Sequence, residues 1–203
     1  MLSPRRALVL LLSLILAFQL FSQVRRARTP LPVAIATGQV QVSIRGTGAS
    51  SGDSIKLNIA KRPAAAAGPL EISVPPGTIL SNGNSAGQNM VVGEVLGRMV
   101  SESSYIPASH IELSGKSAVD YALTAFCLNF EKDNPSDTDT FRAEEPDATL
   151  ACIMKNSAQL SVAARQAAVW IHTDNINYAH MNRKFSVSAQ EFSQGRDVVN
   201  GCR

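Results

Sequence analysis

The pattern of this chain predicts an α+β protein, an antiparallel β-sandwich with a helical C-terminal third. Three observations predict it. Successive apolar runs alternate with period two, clusters of Gly, Pro, Asn and Ser separate them, and after Pro146 the apolar period lengthens to that of a helix.

The alternation is clearest early in the chain. Val40, Val42 and Ile44 interleave with Gln41, Ser43 and Arg45; Ile55, Leu57 and Ile59 with Lys56 and Asn58; Leu70, Ile72 and Val74 with Glu71 and Ser73. Successive side chains of a strand point to opposite faces, so each run reads as a half-buried strand. Gly46-Thr47-Gly48 with Ser50-Ser51-Gly52-Asp53, then Pro63 to Pro69, then Pro75-Pro76-Gly77-Thr78 supply the turns. The alanines at 64–67 read as a flexible spacer. Weaker strands are expected over 89–95, 109–113 and 118–130, with a loop at Asn82–Gly87. Beyond Pro146, Asp147 can cap a helix running to about Asn156. Ser157 or Ser161 can open a second, with Leu160, Ala163, Ala164, Ala167, Ala168 and Ile171 on one face. Ser188 followed by Glu191 forms the capping-box pattern of a last helix.

The organisation expected is a signal peptide or N-terminal membrane anchor over 1–23, a linker over 24–38, and a single domain over 39–203 whose helical part covers about 147–203. Arg5 and Arg6 precede an apolar stretch from Ala7 to Phe21, the charged and apolar regions of an export signal. The stretch is short for a spanning helix, yet the cleavage site after it is poor, and Arg25, Arg26 and Arg28 follow. Secreted and membrane-anchored forms both fit, with contact to the membrane only through this segment. The chain has 203 residues, 45% hydrophobic and 17% charged, with net charge +3. Five of its 19 basic residues lie in the first 28 positions, leaving 14 against 16 acidic ones. That balance gives no electrostatic basis for binding nucleic acid.

An exported chain reaches a compartment where disulfides persist, and this one carries three cysteines, Cys127, Cys152 and Cys202. One pair leaves one thiol over, and the pairing is open: 127 with 152, 127 with 202, or 152 with 202. No C-x-x-C occurs and His110, His172 and His180 are scattered, so no metal site or cofactor is expected. The glycine-rich run at 46–52 leads into a strand and lacks the helix N-terminus that holds phosphate. Ser157 or Ser161 with His172 and Asp174 lacks a nucleophile elbow. Glu131, Asp133, Asp137 and Asp139 lack the order of a calcium loop. No acid–base pair is legible, so an enzyme is not expected.

One constellation carries chemistry. Phe126-Cys127-Leu128 is followed by Arg165-Gln166-Ala167-Ala168-Val169-Trp170 and then Thr173-Asp174. Here the chain resembles the thioester domains of Gram-positive surface adhesins, although Leu128 and Arg165 stand where that pattern has an aromatic and a Thr. The resemblance implies that the Cys127 sulfur attacks the Gln166 carboxamide, that ammonia leaves, and that the thioester can acylate an amine on a partner. Trp170, Phe126 and Asp174 would support the bond and shield it. With Cys127 so committed, Cys152 and Cys202 remain as the disulfide pair. The function expected is an exported binding or adhesion module whose partner is a surface amine or protein ligand. The alternative is a non-catalytic, disulfide-bonded structural or ligand-binding protein.

Overall fold

A computed structural model describes residues 27–203 apart from 64, 66 and 67. The export segment expected at 1–23 and most of the 64–67 alanine run lie outside the described residues. Ten strands are described: β1 (Thr29–Pro30), β2 (Val40–Gly46), β3 (Ser51–Lys61), β4 (Leu70–Ser73), β5 (Thr78–Asn82), β6 (Met90–Ser101), β7 (Ser104–Pro107), β8 (Ile111–Leu113), β9 (Val119–Cys127) and β10 (Thr140–Pro146). Five helices accompany them: α1 (Leu31–Ala36), α2 (Ala148–Asn156), α3 (Val162–Thr173), α4 (Tyr178–Met181) and α5 (Ala189–Gly201).

The sandwich expectation is overturned. The large sheet runs β5-β10-β2-β3-β9-β6-β7, and β5 also pairs with β6, so six antiparallel strands close on themselves as a barrel. A separate three-stranded sheet, β1-β4-β8, packs into the same apolar core through Ile72, Ile111 and Leu113. The protein is therefore a closed barrel with a small second sheet and a few short helices, not a sandwich with a helical third. Alternation tells which face of a strand is buried but not which strands pair at the ends of a sheet. Closure here depends on β5 and β10. β10 joins β5 and β2, and β5 meets β6 through Ile79–Val91 and Leu80–Met90.

The alternating runs do form the strands expected of them. β2 and β3 make a regular hairpin from Val40 opposite Lys61 to Gly46 opposite Ile55, so the glycine-rich run between them is its loop. β9 behaves differently. From Tyr121 to Cys127 every residue is buried, so both faces are covered and the sequence there shows no alternation. Within the stretch 24–38, α1 buries Leu31 and Ala34 completely and so contributes to the core.

The helices start where their caps predict. The Asp147 carboxylate accepts from Leu150 N–H at 2.8 Å, Ser161 Oγ accepts from Ala164 N–H, and Ser188 with Glu191 forms the full capping box. α3 and α5 approach closely at Gly195, where a Cβ would lie 2.8 Å from the Ala164 carbonyl oxygen. Cys202, capping the end of α5, is bonded to Cys152 in α2. Among the described residues no helix is long and apolar enough to cross a membrane.

Candidate functional site

The site lies where β9 runs out against α3. Its organising problem is the main chain of Cys127. Leu128 N–H donates to Asn89 on the β6 side, so the N–H and C=O of Cys127 turn to the opposite edge. There β3 begins only at Ser51, opposite Phe126, and offers no partner residue in the ladder. A buried, unpaired peptide group costs about 1–3 kcal/mol. Gln166 fills the gap. Its Oε1 accepts from Cys127 N–H at 2.9 Å and its Nε2 donates to Cys127 C=O at 2.8 Å, so one side chain acts as a short piece of strand. Gln166 is itself 0% exposed.

Helix α3 places that side chain, and its neighbours lock the helix to the barrel. Arg165 is buried with its guanidinium 4.7 Å from the centre of the Phe126 ring, and it donates to Glu94 at 3.1 Å. Gly93 makes room for it: a Cβ there would lie 2.5 Å from an Arg165 terminal nitrogen. Trp170, one turn beyond Gln166, meets Phe130 and Phe185 edge-on at 5.1 and 5.3 Å, walling one side of the site. Asp174 accepts from Phe130 N–H at 3.2 Å and from the Thr173 hydroxyl at 2.6 Å, fixing the chain just past β9.

The sulfur of Cys127 is not part of a disulfide and is completely buried. It donates to the Ser50 carbonyl oxygen at 3.0 Å. Burial pushes this thiol up from its ordinary 9.0 to about 12, against the opposing effects of a hydrogen bond from the Gln88 side chain and the charge of Lys184. Gln88 is a second buried carboxamide, 2% exposed, and it repeats the grip of Gln166 two residues along. Its Oε1 accepts from Asn129 N–H at 2.9 Å and its Nε2 donates to Asn129 C=O at 2.8 Å. Outside the sulfur, a cleft of about 300 Å³ is bounded by Ser50, Phe130, Trp170, Lys132, Lys184 and Phe185, among others. Both lysines brace main chain: Lys132 donates to Ser85 and Gly87, Lys184 to Phe130 and Lys132.

The residues singled out in the sequence thus converge in part. Cys127, Gln166, Phe126, Trp170 and Asp174 surround one strand end, while Cys152 and Cys202 are joined elsewhere. Gln88, Ser50 and the Arg165–Glu94 pair are the participants that sequence reasoning missed. Gln88 sits in a Gly-Gln-Asn stretch beside a turn, and its only signal is a polar residue just ahead of the apolar Met90-Val91-Val92. Among the described residues no group of three His, Cys, Asp or Glu could hold a metal ion. No family model, curated protein or solved structure matches the chain, so the functional reading rests on this geometry.

Proposed function

We propose that the protein is an extracytoplasmic binding module that forms an internal thioester at Cys127 and uses it to acylate an amine on a partner surface. The observation that carries this reading is the placement of the one cysteine left out of the disulfide. It is fully buried between two buried carboxamides, Gln166 and Gln88, with a cleft walled by aromatic rings just beyond Ser50.

The chemistry suits that placement. The thiol sulfur bonds to the carboxamide carbon, the C–N bond breaks, and the nitrogen leaves as ammonia with the thiol proton. A thioester survives only where water is kept out, and a site with no exposed sulfur provides that. An incoming amine then displaces the sulfur, forms an amide with the glutamine acyl group and returns the proton to Cys127. The Cys152–Cys202 disulfide supports the extracytoplasmic location, since such bonds persist in oxidising compartments.

A second reading is favoured by one observation. Each carboxamide both accepts from and donates to the main chain, Gln166 at 127 and Gln88 at 129, a role that a purely structural binding protein would also need. A labelled alkylamine separates the two. Covalent incorporation into the purified protein, lost in Cys127→Ala, is the expected result. Absence of incorporation into the folded wild type would leave only the non-catalytic reading.

A further inference from the structure

The cleft outside the Cys127 sulfur holds hydrogen-bond donors that the protein does not itself use. Trp170, 4% exposed, has its Nε1 buried and without a hydrogen-bond partner among the described residues, and the same residue lines the cleft. An indole N–H can only donate, and a buried donor left without an acceptor costs about 1–3 kcal/mol.

Two ammonium groups adjoin it. Lys132 and Lys184 both line the cleft, and Lys184 is fastened to the Lys132 segment through the carbonyls of Phe130 and Lys132, each at 3.0 Å. An ammonium has three N–H donors. Lys184 gives two to those carbonyls and Lys132 gives two to Ser85 and Gly87, so one donor on each stays over. Among the described residues neither lysine forms an ion pair. Asp133 also lines the cleft, but it is exposed and pairs with neither. Two cations therefore stand against one carboxylate. Phe130, Trp170 and Phe185, in edge-on contact with one another, supply the apolar wall.

We propose that this cleft binds a carboxylate carried on a short apolar body. The carboxylate oxygens accept from the spare lysine donors and the Trp170 N–H, and the body lies against the rings. A neutral carbonyl answers the indole and leaves the charge unmatched. An inorganic anion answers the donors and leaves the rings bare. The volume, about 300 Å³, is at the low end for ligand sites and suits a group of this size. The cleft also adjoins the thiol, since Cys127 Sγ donates to the carbonyl of Ser50, itself a lining residue. Combined with the thioester reading, on which this last step rests, the acceptor is an amine that bears a carboxylate. The cleft holds the carboxylate while the amine meets the acyl carbon.

Trp170 is the single tryptophan of the chain, so its fluorescence reports the cleft directly. Titrating the full chain with hexanoate at neutral pH should give a saturable change in emission. Hexanamide, of the same length but uncharged, should bind about tenfold more weakly, and hexylamine and inorganic phosphate should give no saturable change. No response to hexanoate, or equal binding of hexanamide or phosphate, would overturn the assignment. Lys132→Met should narrow the gap between hexanoate and hexanamide; if it fails to fold, the wild-type ligand series decides. Covalent uptake is read separately, by mass. Here ε-aminocaproate should be incorporated about tenfold faster than pentylamine, which lacks the carboxylate, and equal rates would contradict a role for the cleft in choosing the amine. Hexanoate binding with no uptake of any amine, methylamine included, would leave the cleft assignment standing and remove the thioester reading. Amine uptake without hexanoate binding would do the reverse.

Discussion

The two cysteine regions of this chain are held in opposite ways. Cys152 and Cys202, both partly exposed, join the ends of a 50-residue stretch covalently, α2 to the last turn after α5. Cys127 is fully buried, joined to no other cysteine, and fixed by carboxamides that pair with its own strand. The first region restrains the unfolded chain; the second satisfies the folded one. The difference teaches that burial of the odd thiol is an arrangement several residues contribute to: Gln166, Gln88, Ser50, Trp170 and the Arg165 anchor all converge on it.

The comparison can be broken at either end. Replacing both cysteines of the disulfide by serine should have the largest effect, about 4 kcal/mol of stability for a loop of this length in the chain-entropy model. Chemical denaturation of the variant beside the wild type measures it. A loss near zero would mean that the helices hold together without the staple.

Gln166→Leu should cost slightly less, about 3 kcal/mol, because the variant leaves the buried N–H and C=O of Cys127 without partners. Its denaturation midpoint should fall with little change in slope. An unchanged midpoint would show that β9 does not need the clamp.

The Arg165–Glu94 pair should behave asymmetrically, since the Arg165 side chain is 6% exposed and that of Glu94 48%. Glu94→Ala strands a buried cation and should cost about 2 kcal/mol, whereas Arg165→Met leaves only a solvated carboxylate and should cost less. Equal losses would contradict that account of how α3 is anchored.

The smallest effect, over the range where the fold survives, concerns pH. In the thiol form the folded protein holds the Cys127 proton more tightly than the unfolded chain does, about 12 against 9.0. The stability this contributes is fully present below pH 9.0 and is lost as pH rises toward about 12. The methylamine-opened chain, whose Cys127 thiol is free, should therefore lose stability faster than the Cys127→Ala variant above pH 9.0. Parallel curves would mean that the thiol is more solvated than its burial implies.

Much of the local structure was legible in the sequence, because local rules decide it. The Asp147, Ser161 and Ser188 caps and the β2–β3 hairpin follow from residues within a few positions of one another. The architecture was not. β5 offers five residues and β10 carries Glu144, Glu145 and Pro146, so neither shows the alternation that marks β2 and β3, yet these two strands close the barrel. The site was half legible. Cys127 and Gln166 stand in recognisable local patterns, whereas Gln88 reaches the Asn129 main chain beside the site only because β6 lies beside β9. Register between strands far apart in sequence is set by the whole core, and no short pattern around residue 88 encodes it.

The central claim is that the buried Cys127 sulfur is acylated by a neighbouring glutamine, and intact mass under non-reducing, acidic denaturing conditions tests it most directly. The account predicts a chain lighter by one ammonia beyond the two hydrogens of the disulfide, with no titratable thiol, and with the ammonia loss abolished in Cys127→Ala. A mass explained by the disulfide alone, with one free thiol per chain, would contradict it.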